Sequence, residues 1–209
     1  MARTAPTKPV IETSPDQTVA DGNSTRTKIL DAAEAQIESR GYNAVSFREL
    51  ATELGIKSAS IHYHFPSKAD LAAALVGRYR ARFEAIRSGL DQLPGDELAK
   101  LQAFATGVAE SFSSKGRMCL CGILAAETST LPPEVVAEVQ GFFADNERWL
   151  AALLAKGKRA GTLRFSGAAE LAARSFFGGI EGAMLAAWVH SDDSRMFAAA
   201  RWLASGFAK

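Results

Sequence analysis

From Ser24 onward the apolar residues recur every three or four positions, the spacing that gathers them on one face of a helix, and no segment alternates with period two. Ile29, Ala33 and Ile37, with Leu30 beside them, predict an amphipathic helix over about 25–40, stopped by Gly41. Ser46, with Glu49 three residues on, has the form of a capping box, in which each side chain satisfies a free backbone N–H. It opens a short helix that runs through Leu54 and is closed by Gly55. A third short helix is predicted over about 58–65, ended by Pro66. Ser67 with Asp70 caps a long fourth helix striped by Leu71, Leu75, Tyr79, Phe83, Ile86 and Leu90.

After Pro94-Gly95, Leu98, Leu101, Val108 and Phe112 mark a fifth helix. A short segment over about 119–128 precedes the break at Pro132-Pro133. A seventh helix follows, carrying Val136, Val139, Phe143, Leu150 and Leu153 and ended near Gly161. An eighth is predicted over about 167–190 and a ninth over about 194–207. The fold class is therefore all-α, in about nine helices and with no internal repeat.

Residues 1–23 hold three of the 7 prolines and end in a small, polar run, which predicts a flexible arm. Residues 24–71 form a first unit and 72–209 a larger helical domain. The apolar share of 47% is enough for a real core, and 22% charged residues is an ordinary globular value. A net charge of +1 says nothing about nucleic acid, and within 24–88 ten Lys/Arg face seven Asp/Glu, so any basic surface is local. Two cysteines, Cys119 and Cys121, are too few for a disulfide scaffold. No apolar run approaches a membrane span and the N-terminus lacks a signal-peptide core, so the expected location is cytoplasmic, with no membrane partner.

The informative unit is 46–65: a capped short helix, the turn Gly55-Ile56-Lys57, and a second short helix. Such helices are marginal alone. Joined at a sharp angle and buttressed by an earlier helix, they form a helix-turn-helix whose second member enters the major groove. Ser58, Ala59 and Ser60 are small enough for close approach. Lys57, His62, Tyr63 and His64 carry tips that reach phosphates or bases. Ala51, Leu54, Ile56 and Ile61 supply the apolar seam between the helices.

The run Ile29-Leu30-Asp31-Ala32-Ala33, Gly41-Tyr42, Ser46-Phe47-Arg48-Glu49-Leu50-Ala51, Gly55-Ile56 and then Ile61-His62-Tyr63-His64-Phe65-Pro66-Ser67-Lys68-Ala69-Asp70-Leu71 resembles the tetracycline-repressor (TetR) family. The resemblance implies a three-helix DNA-binding unit, a helical ligand-binding and dimerising domain, and repression relieved by a small molecule. It implies that Arg48 contacts bases or phosphates and that Lys57, Ser58, Ala59, Ser60 and His62 face base edges. Tyr63, His64 and Lys68 match positions that contact the DNA backbone. Two departures stand out: Lys57 replaces a small capping residue and His62 replaces a tyrosine, so the cap is expected to shift to Ser58. The partners implied are a palindromic duplex operator, a small-molecule effector and a second copy of the chain.

Other chemistry is sparse. His62 and His64 point to different faces, His190 is remote, and no metal-ligand, phosphate-loop or nucleophile-elbow motif occurs, so neither a metal, a cofactor nor an enzyme is expected. Arg78, Arg80 and Arg82 read as a solvated face. Cys119 and Cys121 read either as small buried residues or as thiols that sense oxidants or electrophiles; the segment 118–127 resembles TetR-like segments of both kinds. Cys119, Phe143, Trp149, Phe177 and Met184 are the candidate walls of a pocket for an apolar or aromatic effector. Gly178, Gly179, Gly182, Ala183, Ala186 and Ala187, with Phe197, Ala200, Leu203 and Phe207, are candidates for a dimer face on the last two helices, or for packing within one subunit. The alternative from another class is a helical enzyme or binding protein with no DNA role.

Overall fold

The computed structural model describes the backbone of residues 15–209 and the side chains from Ser24 onward. Nine α-helices and no strand occur among the described residues. The first, α1 (Pro15–Arg40), begins about ten residues before its predicted start, so the arm expected over 1–23 is helical from 15 on; residues 1–14 lie outside the described residues. Proline suits a first turn, where its missing N–H would have no partner, and a nucleated helix extends at little cost per residue.

Helices α2 (Phe47–Leu54) and α3 (Ser58–His64) follow. Gly55 adopts φ +65°, which an L side chain resists. This lets the Ile56 N–H reach back to Ala51 O at 3.0 Å and closes α2 with a left-handed cap. At the other end of α2, Ser46 Oγ accepts from the Glu49 N–H at 3.2 Å, but the Glu49 carboxylate lies 3.6 Å from Arg40, so only half of the predicted capping box forms. The cap of α3 does not shift to Ser58. Lys57 itself holds the N-cap position in extended conformation and makes no side-chain capping bond.

Helix α4 (Lys68–Gln92) opens with a complete capping box between Ser67 and Asp70. Its first turns close the core of the N-terminal unit: Ile29, Ile37, Leu50, Ile61, Phe65, Leu71 and Leu75 are all at most 2% exposed. The larger domain continues α4 with α5 (Glu97–Lys115), α6 (Leu120–Ala126), a 3-10 turn (Thr128–Thr130), α7 (Pro133–Ala160), α8 (Ala169–His190) and α9 (Asp193–Ser205). There α7 packs between α4 and α8, and α9 packs between α5 and α8. Arg87, inside this core, donates to Asn146 Oδ1 at 2.9 Å, and Asn146 donates on to Phe142 O, so the buried guanidinium is partnered.

The three arginines expected on a solvated face are instead ion-paired across helices. Arg78 meets Asp31 at 2.6 Å and Glu34 at 2.7 Å, Arg82 meets Glu34 at 2.6 Å, and Arg80 meets Glu138 at 2.7 Å and Asp145 at 2.8 Å. A polar stripe on one helix cannot reveal in sequence that acids from α1 and α7 will face it.

Candidate functional site

The outward face of α2 and α3 carries the residues singled out for nucleic acid. Arg48, Lys57, Ser58, Ala59, His62 and Tyr63 are exposed, and Ser60, His64 and Lys68 are half-buried. Tyr63 is 85% exposed, which no packing role explains, while its neighbour Ile61 is fully buried and anchors the helix. Neither Arg48 nor Lys57 forms an ion pair among the described residues, so both cations are available to phosphate. His62 is held more firmly: its ring stands edge-on to Phe47 at 4.8 Å, and its Nδ1 lies 3.3 Å from Pro66 O. The His64 ring meets Tyr63 edge-on at 5.2 Å. Lys68 turns inward, its ammonium 4.2 Å from the centre of the Tyr42 ring and 3.4 Å from Asn43 O. Burial there pulls the Lys68 ammonium below its ordinary value, with Glu127 opposing.

The turn that Lys68 touches is also gripped from the larger domain. The Tyr42 N–H donates to Glu127 Oε2 at 2.9 Å, and Asn43 Nδ2 donates to Thr130 Oγ1 at 2.9 Å. Gly41, at φ +81°, leaves room for this carboxylate: a β-carbon there would lie 1.9 Å from Glu127 Oε1. Further along α1, Glu34 and Glu38 are buried against Arg82, Lys115 and Arg117. Burial alone would raise the Glu34 carboxyl, but Arg82, Lys115 and Arg78 outweigh it and hold it below its usual value. Glu38, with weaker partners at 3.7 Å, is left raised by burial.

Inside the larger domain a cavity of about 490 Å³ lies between α4, α5 and α8, a size suited to a small ligand. Tyr79, Phe83, Ile86 and Leu90 of α4 form one wall, Phe104, Val108 and Phe112 of α5 another, and Phe177, Glu181 and Met184 of α8 the floor. Ile86 and Leu93 border it and remain 45% and 43% exposed, so it opens to solvent along α4. Glu38, Arg82, Lys115 and Arg117 border its other end, so the cavity and the grip on α1 share side chains.

Of the five residues expected to line a pocket, Cys119, Phe177 and Met184 border this cavity. Phe143 borders a second hollow, between α6 and α8, and Trp149 packs on Phe104 with its Nε1 donating to Asp91 at 3.0 Å. Sequence reasoning missed Tyr79, Phe83 and Ile86 as lining residues, because a helical stripe looks the same whether it meets a filled core or a void. It also did not name Glu181 as a lining residue, whose signal was a lone acid in the otherwise apolar run 176–189.

Both cysteines are free, and each is at most 6% exposed. Tyr79 Oη lies 3.5 Å from Cys119 Sγ, and the Cys119 N–H points to Met184 Sδ at 3.1 Å. Burial pushes both thiols well above their ordinary value; Glu181 adds to this for Cys119, and Cys119 followed by Glu181 for Cys121. A thiol sensor needs the reverse, a lowered and accessible thiolate. No group of His, Cys, Asp or Glu suited to a metal occurs among the described residues, and no described helix is long and apolar enough to cross a membrane.

Residues 29–75 match the family described as bacterial regulatory proteins, tetR family, and residues 97–203 match the tetracyclin repressor-like C-terminal domain. A TetR-family transcriptional regulator from Agrobacterium tumefaciens has the same fold with a TM-score of 0.87 and 34% identity, over 90% of this chain and 100% of that one. The transcriptional regulator AcuR of Cereibacter sphaeroides is 28% identical over 80% of this chain and 78% of its own length. The repressor BepR of Brucella suis is 28% identical over 84% and 86%. An outward helix-turn-helix, a hollow helical domain and these matches agree: the chain belongs to the TetR family of ligand-responsive, DNA-binding transcriptional regulators.

Proposed function

We propose that this chain is a cytoplasmic homodimeric repressor that binds a palindromic operator through α2 and α3 and is released when an apolar or aromatic small molecule fills the cavity between α4, α5 and α8. The observation that carries the reading is shared wiring. Arg82, Lys115 and Arg117 border the cavity and also hold Glu34 and Glu38 of α1. Helix α6 starts at the cavity with Cys119 and leads, just past its end, to Glu127 on the turn after α1. A ligand that moves these groups acts at once on the N-terminal unit. Release then follows if it binds better to a form whose recognition helices are wrongly separated for DNA.

A dimer is supported by an apolar stripe on α8. Leu171, Leu185 and Val189 are 62%, 51% and 70% exposed, with Gly178 and Gly182 between them leaving open space, and Trp202 of α9 is 75% exposed. Several residues considered earlier for this face pack within the subunit instead: Gly179 sits against Leu203, and Ala187 and Ala200 are buried. Selection of bound sites from a random duplex pool tests the reading. We expect a palindrome with half-sites about 34–36 Å apart or a multiple of a turn, altered at single bases by changes at Ser60 or His62. A monomer at micromolar concentration by light scattering, or binding without sequence preference, would overturn it.

A further inference from the structure

We propose that the effector taken by this cavity is an apolar amine, its ammonium group donating to Glu181 and its body lying against the aromatic walls. The inference rests on the reading of the cavity as the effector site and names the chemistry that the site selects.

Glu181 borders the cavity from α8, and its Oε2 is shielded from solvent with no hydrogen-bond partner among the described residues. An orphaned buried acceptor is costly, and a ligand that brings an N–H removes the cost. The other charged groups on the cavity wall are already matched: Arg82 to Glu34, Lys115 to Glu34 and Glu38, and Arg117 to Glu38. No cation among the described residues pairs with Glu181. A carboxylate ligand would thus have to displace an existing acid, whereas a cationic one finds an acceptor waiting.

The walls favour the same ligand. Phe83, Phe104 and Phe177 border the cavity with their rings; Tyr79 is already stacked on Phe83 at 5.0 Å and holds the Arg82 guanidinium 4.6 Å from its ring centre, so it adds apolar wall rather than a free face. The negative faces of such rings attract an ammonium group, more so away from water. Burial holds the Glu181 carboxyl up at about 7, and a cation beside it would draw it back toward the ionised form.

The test is calorimetric titration of the full chain with three probes of one shape: 4-phenylbutylamine, 4-phenylbutan-1-ol and 4-phenylbutyrate. We expect the amine to bind about ten- to a hundredfold tighter than the alcohol, the range of a charge-assisted buried hydrogen bond, and the carboxylate to bind worst. In Glu181→Gln the amine-to-alcohol ratio should fall to about one. If the alcohol binds as well as the amine to the unaltered chain, or the amine preference survives Glu181→Gln, the inference is wrong while the cavity keeps its role. If none of the three binds at millimolar concentration, and filling the space by Gly107→Leu changes no response to other apolar compounds, the effector-site reading fails and this inference with it.

Discussion

The two halves of α4 sit in different surroundings. Leu71 and Leu75 close a filled core with α1, α2 and α3, while Tyr79, Phe83 and Ile86, next along the same stripe, border open space. The N-terminal unit has a filled interior and turns its candidate DNA contacts outward, with Tyr63, Arg48 and Lys57 standing in solvent. The larger domain leaves its inside unfilled and works inward. One helix passes from one regime to the other, so the N-terminal unit and the larger domain are joined by an element whose closely packed stretch gives way to a cavity wall within a single continuous core.

The sharpest test of this contrast is to remove a phenyl ring from each region. Phe65, 2% exposed, is surrounded on all sides. Phe65→Ala should cost about 3–5 kcal/mol, melt the N-terminal unit and abolish operator binding. Phe83→Ala removes a ring that is only partly buried and borders the cavity, so it forfeits fewer contacts and should cost about 3 kcal/mol or less. Urea unfolding read by circular dichroism compares the two. Equal losses would mean that the cavity wall is as tightly packed as the N-terminal core, and the contrast would fail.

A second difference is electrostatic. The acids of α1 are paired with arginines and lysines, but Glu181 is left with a carboxyl raised to about 7 from 4.5. The folded state then holds this proton more tightly than the unfolded chain does. Its stability is fully present below about pH 4.5 and is lost as pH rises through about 7. Tyr79 and Cys119, which face Glu181, stay neutral across that window because burial pushes both far up. Glu181→Gln should therefore raise stability by about 3 kcal/mol at pH 8 and change little at pH 4. Thermal melts at the two pH values check this; a gain of the same size at both would mean that ionisation is not the cause.

Much of the fold was legible because its boundaries are written in local chemistry. Ser67 with Asp70, the glycine after α2 and the proline pair that opens α7 each act within a few residues. The candidate DNA contacts could be named for the same reason, since all but Lys68 lie on two short helices and the turn that joins them. What escaped was non-local. The partners of Arg78, Arg80 and Arg82 come from α1 and α7, more than forty residues away. Phe143 and Trp149 have the right character for a ligand wall, but their helix turns them elsewhere. Nothing in a helical stripe says whether the facing helix fills the gap.

The cysteine segment divides the two triggers that the sequence left open. With both thiols buried and pushed up, a Cys119→Ser, Cys121→Ser variant should lose only about 1–3 kcal/mol of stability from its buried hydroxyls. It should release operator DNA in response to the same ligand as the unaltered chain. Fluorescence anisotropy of labelled operator, with ligand and separately with peroxide or quinone, makes the comparison. Release by peroxide alone, abolished in the double variant, would move the sensor from the cavity to the thiols.

The smallest expected effect sets the stability of the N-terminal unit against its use. Lys57 holds the N-cap of α3, yet a lysine cannot accept from the free N–H groups of the first turn, and no side-chain bond caps the helix. Its ammonium is also misplaced at the positive end of the helix dipole. On the proposed reading, a residue poorly suited to its local position is kept there to reach a phosphate from this exposed edge. Lys57→Ser should restore a cap and stabilise the chain by about 0.5–1 kcal/mol, a rise in melting temperature of a few degrees at most. The same change should weaken binding to every duplex about equally and reduce the salt dependence by about one counterion. Melting and anisotropy at several salt concentrations should therefore move in opposite directions. A variant that is stabilised and still binds with the original salt slope would remove Lys57 from the DNA-contacting set and leave the uncapped end of α3 without an explanation.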